Sequence, residues 1–132
     1  MNVSARIRNG HRHNDASVAC DGVTKSVAIP AKDSGYGSSL SGGELLLLAL
    51  ATCYGNDLYR EAAKLGVELR GVEVDVECEF SGPGEPARNI VYRARVDSPD
   101  GQDRIRELLL QTDLMAEVHS TLRGRVTVTL EL

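Results

Sequence analysis

The three cysteines, Cys20, Cys53 and Cys78, are the most reactive side chains in this sequence of 132 residues. Their number is odd and no pair has C-x-x-C spacing, which argues against a disulfide framework or a thiolate zinc site. Cys53 lies in an aliphatic run, so it is either a small core residue or a nucleophile. A nucleophile must be a thiolate, and a mid-helix position gains little from the helix dipole. Cys53 would therefore need a nearby cation, which Arg12, Arg8 or a histidine could supply.

Other polar residues form weaker patterns. Asn56 and Asp57 follow Cys53 by three and four positions and would share its helix face. They either hydrogen-bond a ligand near the sulfur or mark where the helix leaves the core. His11-Arg12-His13 could place two imidazoles on one face of a strand, but the sequence shows no further ligand. We therefore predict a solvated turn there and no metal site. Neither a dinucleotide-binding glycine motif nor a serine-hydrolase motif is present, and we expect no cofactor.

The composition limits the classes of function. The chain has 15 Lys+Arg, 19 Asp+Glu, a net charge of −4 and 4% aromatic residues. Mild acidity argues against phosphate-backbone binding, and so few aromatic residues cannot stack many bases. The length suits one domain over residues 1–132. The N-terminus lacks the apolar core of a signal peptide, and the apolar run near residues 45–54 is too short for a membrane span. We expect a cytoplasmic protein with no nucleic-acid or membrane partner.

Hydrophobic periodicity predicts strands on both sides of a central helix. Asp21-Gly22 separates two strand-like runs and favours a type I′ hairpin. Valines alternate with acidic residues after position 71, which is typical of a half-buried strand with Cys78 in the core. The predicted strands cover residues 17–20, 23–29, 67–80, 89–96 and 125–132.

The central helix has clear predicted ends. Ser41 and Glu44 have capping-box spacing, so Glu44 is better explained as a cap than as an acid catalyst. Gly66 can supply the left-handed stop after Leu65. The first half is apolar on every side, so we expect it to be buried, whereas the second half should emerge toward solvent.

A second helix is predicted to begin at Ser98-Pro99. It should continue to about Leu122, with a break near Thr112-Asp113. The element order predicts an α+β fold with antiparallel pairing. Because one chain of this length offers little cover for a helix apolar on all sides, we predict a homodimer that shares the central helix.

The segment from Glu44 to Cys53 resembles the central helix of the OsmC/Ohr family, the osmotically inducible and organic hydroperoxide resistance proteins. That helix typically opens with Pro-Glu-x-Leu-Leu and reaches a reactive cysteine. Further matches are residues 66–69, residues 72–74 and Val118-His119-Ser120-Thr121-Leu122. The resemblance covers most of the chain in element order and implies an intertwined α+β homodimer with active sites at the interface.

The resemblance also implies thiol-dependent reduction of organic hydroperoxides. Cys53 matches the attacking cysteine, and Arg12, with Arg8 as a rival, matches the arginine that holds its thiolate. Ala116 stands where the family has a resolving cysteine, and Gly43 stands where it has a catalytic glutamate. The cycle implied is therefore a one-cysteine cycle, in which an external thiol reduces oxidised Cys53.

Four further residues are candidates for the substrate site, namely Leu50, Asn56, Ala116 and His119. His119 approaches the cleft if the second helix packs as it does in the family; otherwise it is a satisfied or exposed histidine. The alternative function is non-catalytic binding of a hydrophobic small molecule at the dimer interface. Gly43 and Ala116 favour this alternative because they remove polar groups and enlarge an apolar cavity.

Overall fold

The structure is a computed structural model that describes residues 1–124 and 126–132. These residues form an α+β fold with two antiparallel sheets and three helices, which confirms the predicted fold class. The chain divides into two compact units, Met1–Leu45 and Leu46–Leu132, and the expectation of one domain stays a prediction. The elements are β1 (Val3–Gly10), β2 (His13–Cys20), β3 (Val23–Val27), α1 (Gly42–Leu65), β4 (Gly71–Glu79), β5 (Arg88–Asp97), α2 (Gln102–Met115) and α3 (Glu117–Arg123).

The first unit contains a three-stranded meander in the order β1-β2-β3. Cys20 pairs with Val23 across the β2–β3 hairpin. The turn residues Asp21 and Gly22 have φ angles of 46° and 84°, as a type I′ turn requires, so the predicted hairpin is confirmed. Arg12 has a φ of 54° in the β1–β2 connection, which confirms that a turn interrupts the His-Arg-His segment.

Helix α1 begins and ends where the local signals predict. The Ser41 amide donates to Glu44 Oε2 at 2.7 Å, and the Glu44 amide donates to Ser41 Oγ at 3.1 Å. This reciprocal pair is a capping box. At the other end Gly66 has a φ of 66°, a conformation that glycine adopts without steric cost.

The second unit packs α1, α2 and α3 against the β4–β5 hairpin. Val72, Val74 and Val76 are partly buried on β4, while the acidic residues between them are exposed. This alternation confirms the predicted half-buried strand. The buried core consists of Tyr54, Leu58, Ala62, Val67, Leu108 and Ala116.

The burial of side chains along α1 is the reverse of the prediction, which was a buried first half and a solvent-exposed second half. Leu48, in the apolar first half, is 58% exposed. The buried residues are instead Leu50, Tyr54, Asp57, Leu58, Glu61 and Ala62, most of them in the second half. Glu61 tolerates burial because Lys64 and Arg60 bind its carboxylate at 2.8 and 3.1 Å. An apolar sequence supplies surface to bury, but packing partners decide which part is covered.

Several predicted boundaries were wrong: strands 17–20, 23–29 and 67–80 are observed as His13–Cys20, Val23–Val27 and Gly71–Glu79, and three larger differences lie further along the chain. The second helix begins at Gln102 rather than at Ser98-Pro99, because Ser98 Oγ accepts a hydrogen bond from the Asp100 N–H in a separate turn. Helix α2 does not break at Thr112, whose hydroxyl donates to the Leu108 carbonyl inside the helix. The break lies at Ala116, which has extended backbone angles. The strand expected over residues 125–132 is not observed at residues 126–132, because these residues have no hydrogen-bonded neighbouring strand. Arg125 lies outside the described residues.

None of the helices in the described ranges is long and apolar enough to cross a membrane.

Candidate functional site

Cys53 lies on α1 where the start of α3 approaches it. Its Sγ is 3.8 Å from Asp57 Oδ2 and 3.8 Å from Glu117 Oε2. Asp57 is one helical turn further along α1, whereas Glu117 is the first residue of α3. The thiol is partly buried and reduced. The helix crossing therefore surrounds the sulfur with two carboxyl groups.

Arg60 connects the two carboxyl groups. Its Nη1 lies 3.0 Å from Asp57 Oδ1 and 3.4 Å from Glu117 Oε1. Asp57 is only 6% exposed, and burial raises its pKa although the Arg60 charge opposes that change. The pKa of Glu117 is lowered, first by its own backbone amide. The two carboxyl groups thus shift in opposite directions, because burial dominates at Asp57 and hydrogen bonding dominates at Glu117.

The environment of Cys53 favours its neutral thiol. Burial is the largest cause of its raised pKa, and the charges of Asp57 and Glu117 raise it further. Backbone N–H groups of Val118 and Glu117 act in the opposite direction because they stabilise the thiolate. This balance makes the sulfur a weaker nucleophile at neutral pH than a thiolate beside a cation.

The same three residues have the donor atoms of a metal site. Ligand atoms of Cys53, Asp57 and Glu117 lie within 4.8 Å of one another. One thiolate and two carboxylates could bind a divalent transition metal. Arg60, however, already pairs with both carboxyl groups through the contacts described above, so the arrangement is equally explained as an ion-pair cluster.

The residues predicted to bind substrate have different surroundings. Leu50 and His119 line one cavity of about 160 Å³ in the second unit. Ala116 is fully buried in the core cluster against which Cys53 packs. Asn56 is exposed on α1, while its neighbour Asp57 contacts the sulfur. The structure thus brings Leu50 together with His119, and Cys53 together with the segment that begins at Ala116.

The imidazole of His119 packs against two tyrosine rings that also contact each other. Its ring centroid lies 4.6 Å from that of Tyr92 and 5.7 Å from that of Tyr54. His119 is 3% exposed, and burial is the main cause of its lowered pKa, with Arg123 adding to that effect and Asp113 opposing it. The side chain is therefore held mainly as a neutral imidazole.

Both candidate arginines belong to the first unit. Arg12 occupies the β1–β2 turn, where its backbone N–H donates to the Gly35 carbonyl at 2.7 Å. Arg8 lies on β1 and lines a cavity of about 580 Å³ together with Arg6 and Asn14. Both guanidinium groups are on exposed residues, so each is accessible to an anion from solvent or from another surface.

Sequence reasoning missed Glu117, Tyr92 and Arg123. Glu117 is 64 positions from Cys53, and only the crossing of α1 and α3 brings them together. Tyr92 and Arg123 line the cavity beside His119. No spacing rule relates these positions; the one available signal was that Glu117 directly follows Ala116, the position matched to the resolving cysteine.

The sequence model of the family described as OsmC-like protein matches residues 35–131, which is more than half of the chain. No curated protein matches the sequence.

Solved structures share the fold at low sequence identity. An OsmC-like protein from Mycoplasma pneumoniae is 17% identical with a TM-score of 0.66, covering 93% of this chain and 86% of its own. The organic hydroperoxide resistance protein OsmC from Legionella pneumophila is 17% identical with a TM-score of 0.63, covering 94% and 90%. The organic hydroperoxide resistance protein OhrB of Bacillus subtilis is 20% identical with a TM-score of 0.56, covering 99% and 97%.

Proposed function

The chain belongs to the OsmC-like protein family, and from this premise we propose that it is a thiol-dependent peroxidase that reduces organic hydroperoxides through Cys53. Hydroperoxide resistance is the function named for two of the structural relatives. The observation that carries the proposal is the placement of Cys53 at the crossing of α1 and α3, with a partly accessible sulfur among polar groups. A cysteine that only filled the core would be surrounded by apolar side chains.

The reaction balances with one cysteine. The thiolate attacks one peroxide oxygen, the O–O bond breaks, and the alkoxide leaves as an alcohol after taking up a proton. Cys53 is then a sulfenic acid. We propose that Asp57, whose Oδ2 lies 3.8 Å from the sulfur and accepts from the thiol, takes the proton of the thiol and passes it to the alkoxide. The first external thiol displaces water to form a mixed disulfide, and a second thiol releases reduced Cys53.

An external reductant is needed because Ala116 stands at the position of the resolving thiol. Ala116 packs in the same core cluster as Cys53 but has no sulfur. Cys20 on β2 and Cys78 on β4 are both free thiols. We therefore propose a small dithiol or monothiol as the second substrate.

The cation that holds the Cys53 thiolate is proposed to be Arg12, with Arg8 as the alternative. Each is exposed on the first unit. A guanidinium beside the sulfur would counteract the two carboxyl groups and lower the pKa of the thiol. Replacement of the correct arginine by Lys, which keeps the charge, should retain more activity than replacement by Met.

We also propose that two chains form a homodimer. The described C-terminal residues alternate apolar and polar side chains without pairing, and Val126, Val128, Leu130 and Leu132 are exposed. Leu48 on α1 is exposed as well. Exposed apolar residues in an unpaired segment are typical of an interface. Light scattering at micromolar concentration should give twice the chain mass, and a monomer would contradict the proposal.

The peroxidase is tested by the consumption of cumene hydroperoxide with dithiothreitol, and separately with a dihydrolipoyl donor. We expect the Cys53→Ser variant to lose turnover and the Cys20→Ser variant, on β2, to retain it. A sulfenic-acid probe should label wild-type protein at Cys53 after one equivalent of peroxide. Turnover that survives in Cys53→Ser, or no labelling at several equivalents, would exclude the proposal.

A second candidate function is binding of a hydrophobic small molecule without catalysis. It is favoured by the raised pKa of Cys53, which lies beside two carboxyl groups. Ala116 supports it too, because this position has lost its thiol. The Cys53→Ser variant distinguishes the two candidate functions, because ligand binding should persist in it whereas peroxide turnover should not.

A further inference from the structure

The cavity beside His119 contains a buried hydrogen-bonding group without a protein partner. Neither Nδ1 nor Nε2 of His119 is hydrogen-bonded by any residue in the ranges 1–124 and 126–132. The side chain is 97% buried, being only 3% exposed, and it lines the cavity. An unpaired polar group in such a position costs free energy comparable to a lost hydrogen bond. A ligand that supplied the missing partner would recover that loss.

The neighbouring polar groups are already engaged. The Tyr54 hydroxyl donates to the Leu109 carbonyl at 2.7 Å, and the Tyr92 hydroxyl donates to Asp113. The Asp113 carboxylate in turn binds Arg123 through contacts of 2.7 and 3.3 Å. Among these cavity-lining residues, His119 is the one whose buried polar atoms have no hydrogen-bond partner within the described ranges.

The remaining walls are apolar and set the size of the ligand. Leu50, Ile90 and Leu122 line the cavity together with the Tyr92 ring. Its volume is about 160 Å³, and an apolar cavity of about 150 Å³ accommodates benzene. The edge-to-face geometry of Tyr92 and His119, at 65°, offers aromatic surfaces that favour a planar ring.

Charge complementarity favours an uncharged ligand. The Arg123 guanidinium is paired with Asp113, so its charge is already compensated. Burial keeps His119 mainly in the neutral form, which has one N–H donor and one acceptor nitrogen. A hydroxyl group can donate to the bare nitrogen or accept from the N–H, so it fits either tautomer. A carboxylate would have no uncompensated cation to bind.

We propose that this cavity binds a small uncharged molecule with a benzene-sized apolar part and one hydroxyl group, such as a phenol, and that the hydroxyl hydrogen-bonds His119. The inference gives a ligand class to the second candidate function and rests on that function alone, without any chemistry at Cys53. It assigns His119 a binding role that depends on its nitrogens rather than on its shape.

The test compares phenol with toluene, which matches it in size but lacks the hydroxyl. Ring ¹⁵N signals of His119 are followed by NMR on the full chain, and His11 and His13 serve as internal controls because the protein has three histidines. We expect saturable phenol binding at low millimolar concentration that shifts the His119 signals. The His119→Phe variant should weaken phenol binding about five- to tenfold, as expected for one hydrogen bond, and leave toluene binding unchanged.

A second variant keeps the test decisive where His119→Phe does not fold. Leu122→Phe fills the cavity from a partly exposed position and should weaken both probes, while Ser120→Phe, exposed on the same helix, should weaken neither. Absence of phenol binding would overturn the proposal and leave water as the partner of His119. Equal binding of phenol and toluene with unchanged His119 signals would overturn it as well. The Cys53→Ser variant should bind phenol normally, so failure of the peroxidase and failure of this site are distinguishable.

Discussion

Neutralising Glu117 should lower the pKa of the Cys53 thiol. The Glu117 carboxylate lies 3.8 Å from Sγ, and its negative charge disfavours the thiolate. The substitution Glu117→Gln removes that charge and nearly preserves the shape of the side chain. The substitution also frees Arg60 from its 3.4 Å contact with Glu117, and the backbone amide of Glu117 no longer faces a carboxylate; both changes favour the thiolate, in the same direction as the loss of repulsion.

The size of the change follows from distance and exposure. Two unit charges about 4 Å apart interact by about 1 kcal/mol in a water-like medium and about 4 kcal/mol at an effective dielectric constant of about 20. The Glu117 side chain is 66% exposed, so the water-like value applies, and pairing with Arg60 reduces it further. One pKa unit corresponds to about 1.4 kcal/mol. We therefore expect the pKa of Cys53 to fall by roughly 0.5 unit.

The assay is the pH dependence of alkylation by iodoacetamide, followed by mass spectrometry of the peptide that contains Cys53. Cys20 and Cys78 are read from the same samples, and their profiles should not change. Glu107→Gln, on the exposed face of α2, is the matched control. An unchanged or higher Cys53 pKa in Glu117→Gln, or an equal fall in Glu107→Gln, would refute the electrostatic reasoning.

Three further predictions concern stability. Folding lowers the pKa of His119, whose imidazole faces Tyr54, Tyr92, Asp113 and Arg123, so the unfolded state binds more protons than the folded state as the pH falls below about 6.5. The free energy of unfolding, measured by chemical denaturation, should therefore decrease as the pH drops from 7 toward the folded pKa, and it should decrease less steeply in His119→Phe. Equal slopes in the two proteins would contradict the assignment. Leu108→Ala, at a fully buried position, should cost about 2–5 kcal/mol of unfolding free energy, and a cost below 1 kcal/mol would mean that the core is packed differently. Ser41→Ala removes the capping-box hydroxyl and should cost about 1 kcal/mol by the same measurement, whereas Ser39→Ala, outside the box, should be neutral.

Local sequence patterns determined much of the architecture. The Asp21-Gly22 turn, the Ser41–Glu44 capping box and the Gly66 stop all follow from backbone preferences of a few neighbouring residues. Strand β4 follows from alternation with a period of two. The family membership also follows from sequence, because the family's sequence model matches residues 35–131.

Tertiary structure alone decided the chemistry around Cys53 and His119. Glu117 reaches the sulfur only through the crossing of α1 and α3. Packing against Tyr54 and Tyr92 buries His119 and leaves its nitrogens without a hydrogen-bond partner among the described residues. The helix break at Ala116 and the exposure of Leu48 likewise depend on which surfaces pack together. A periodic pattern records which side chains share a face of one element. Hydrogen-bond partners and burial depend on distant elements that meet in space, and no local spacing encodes them.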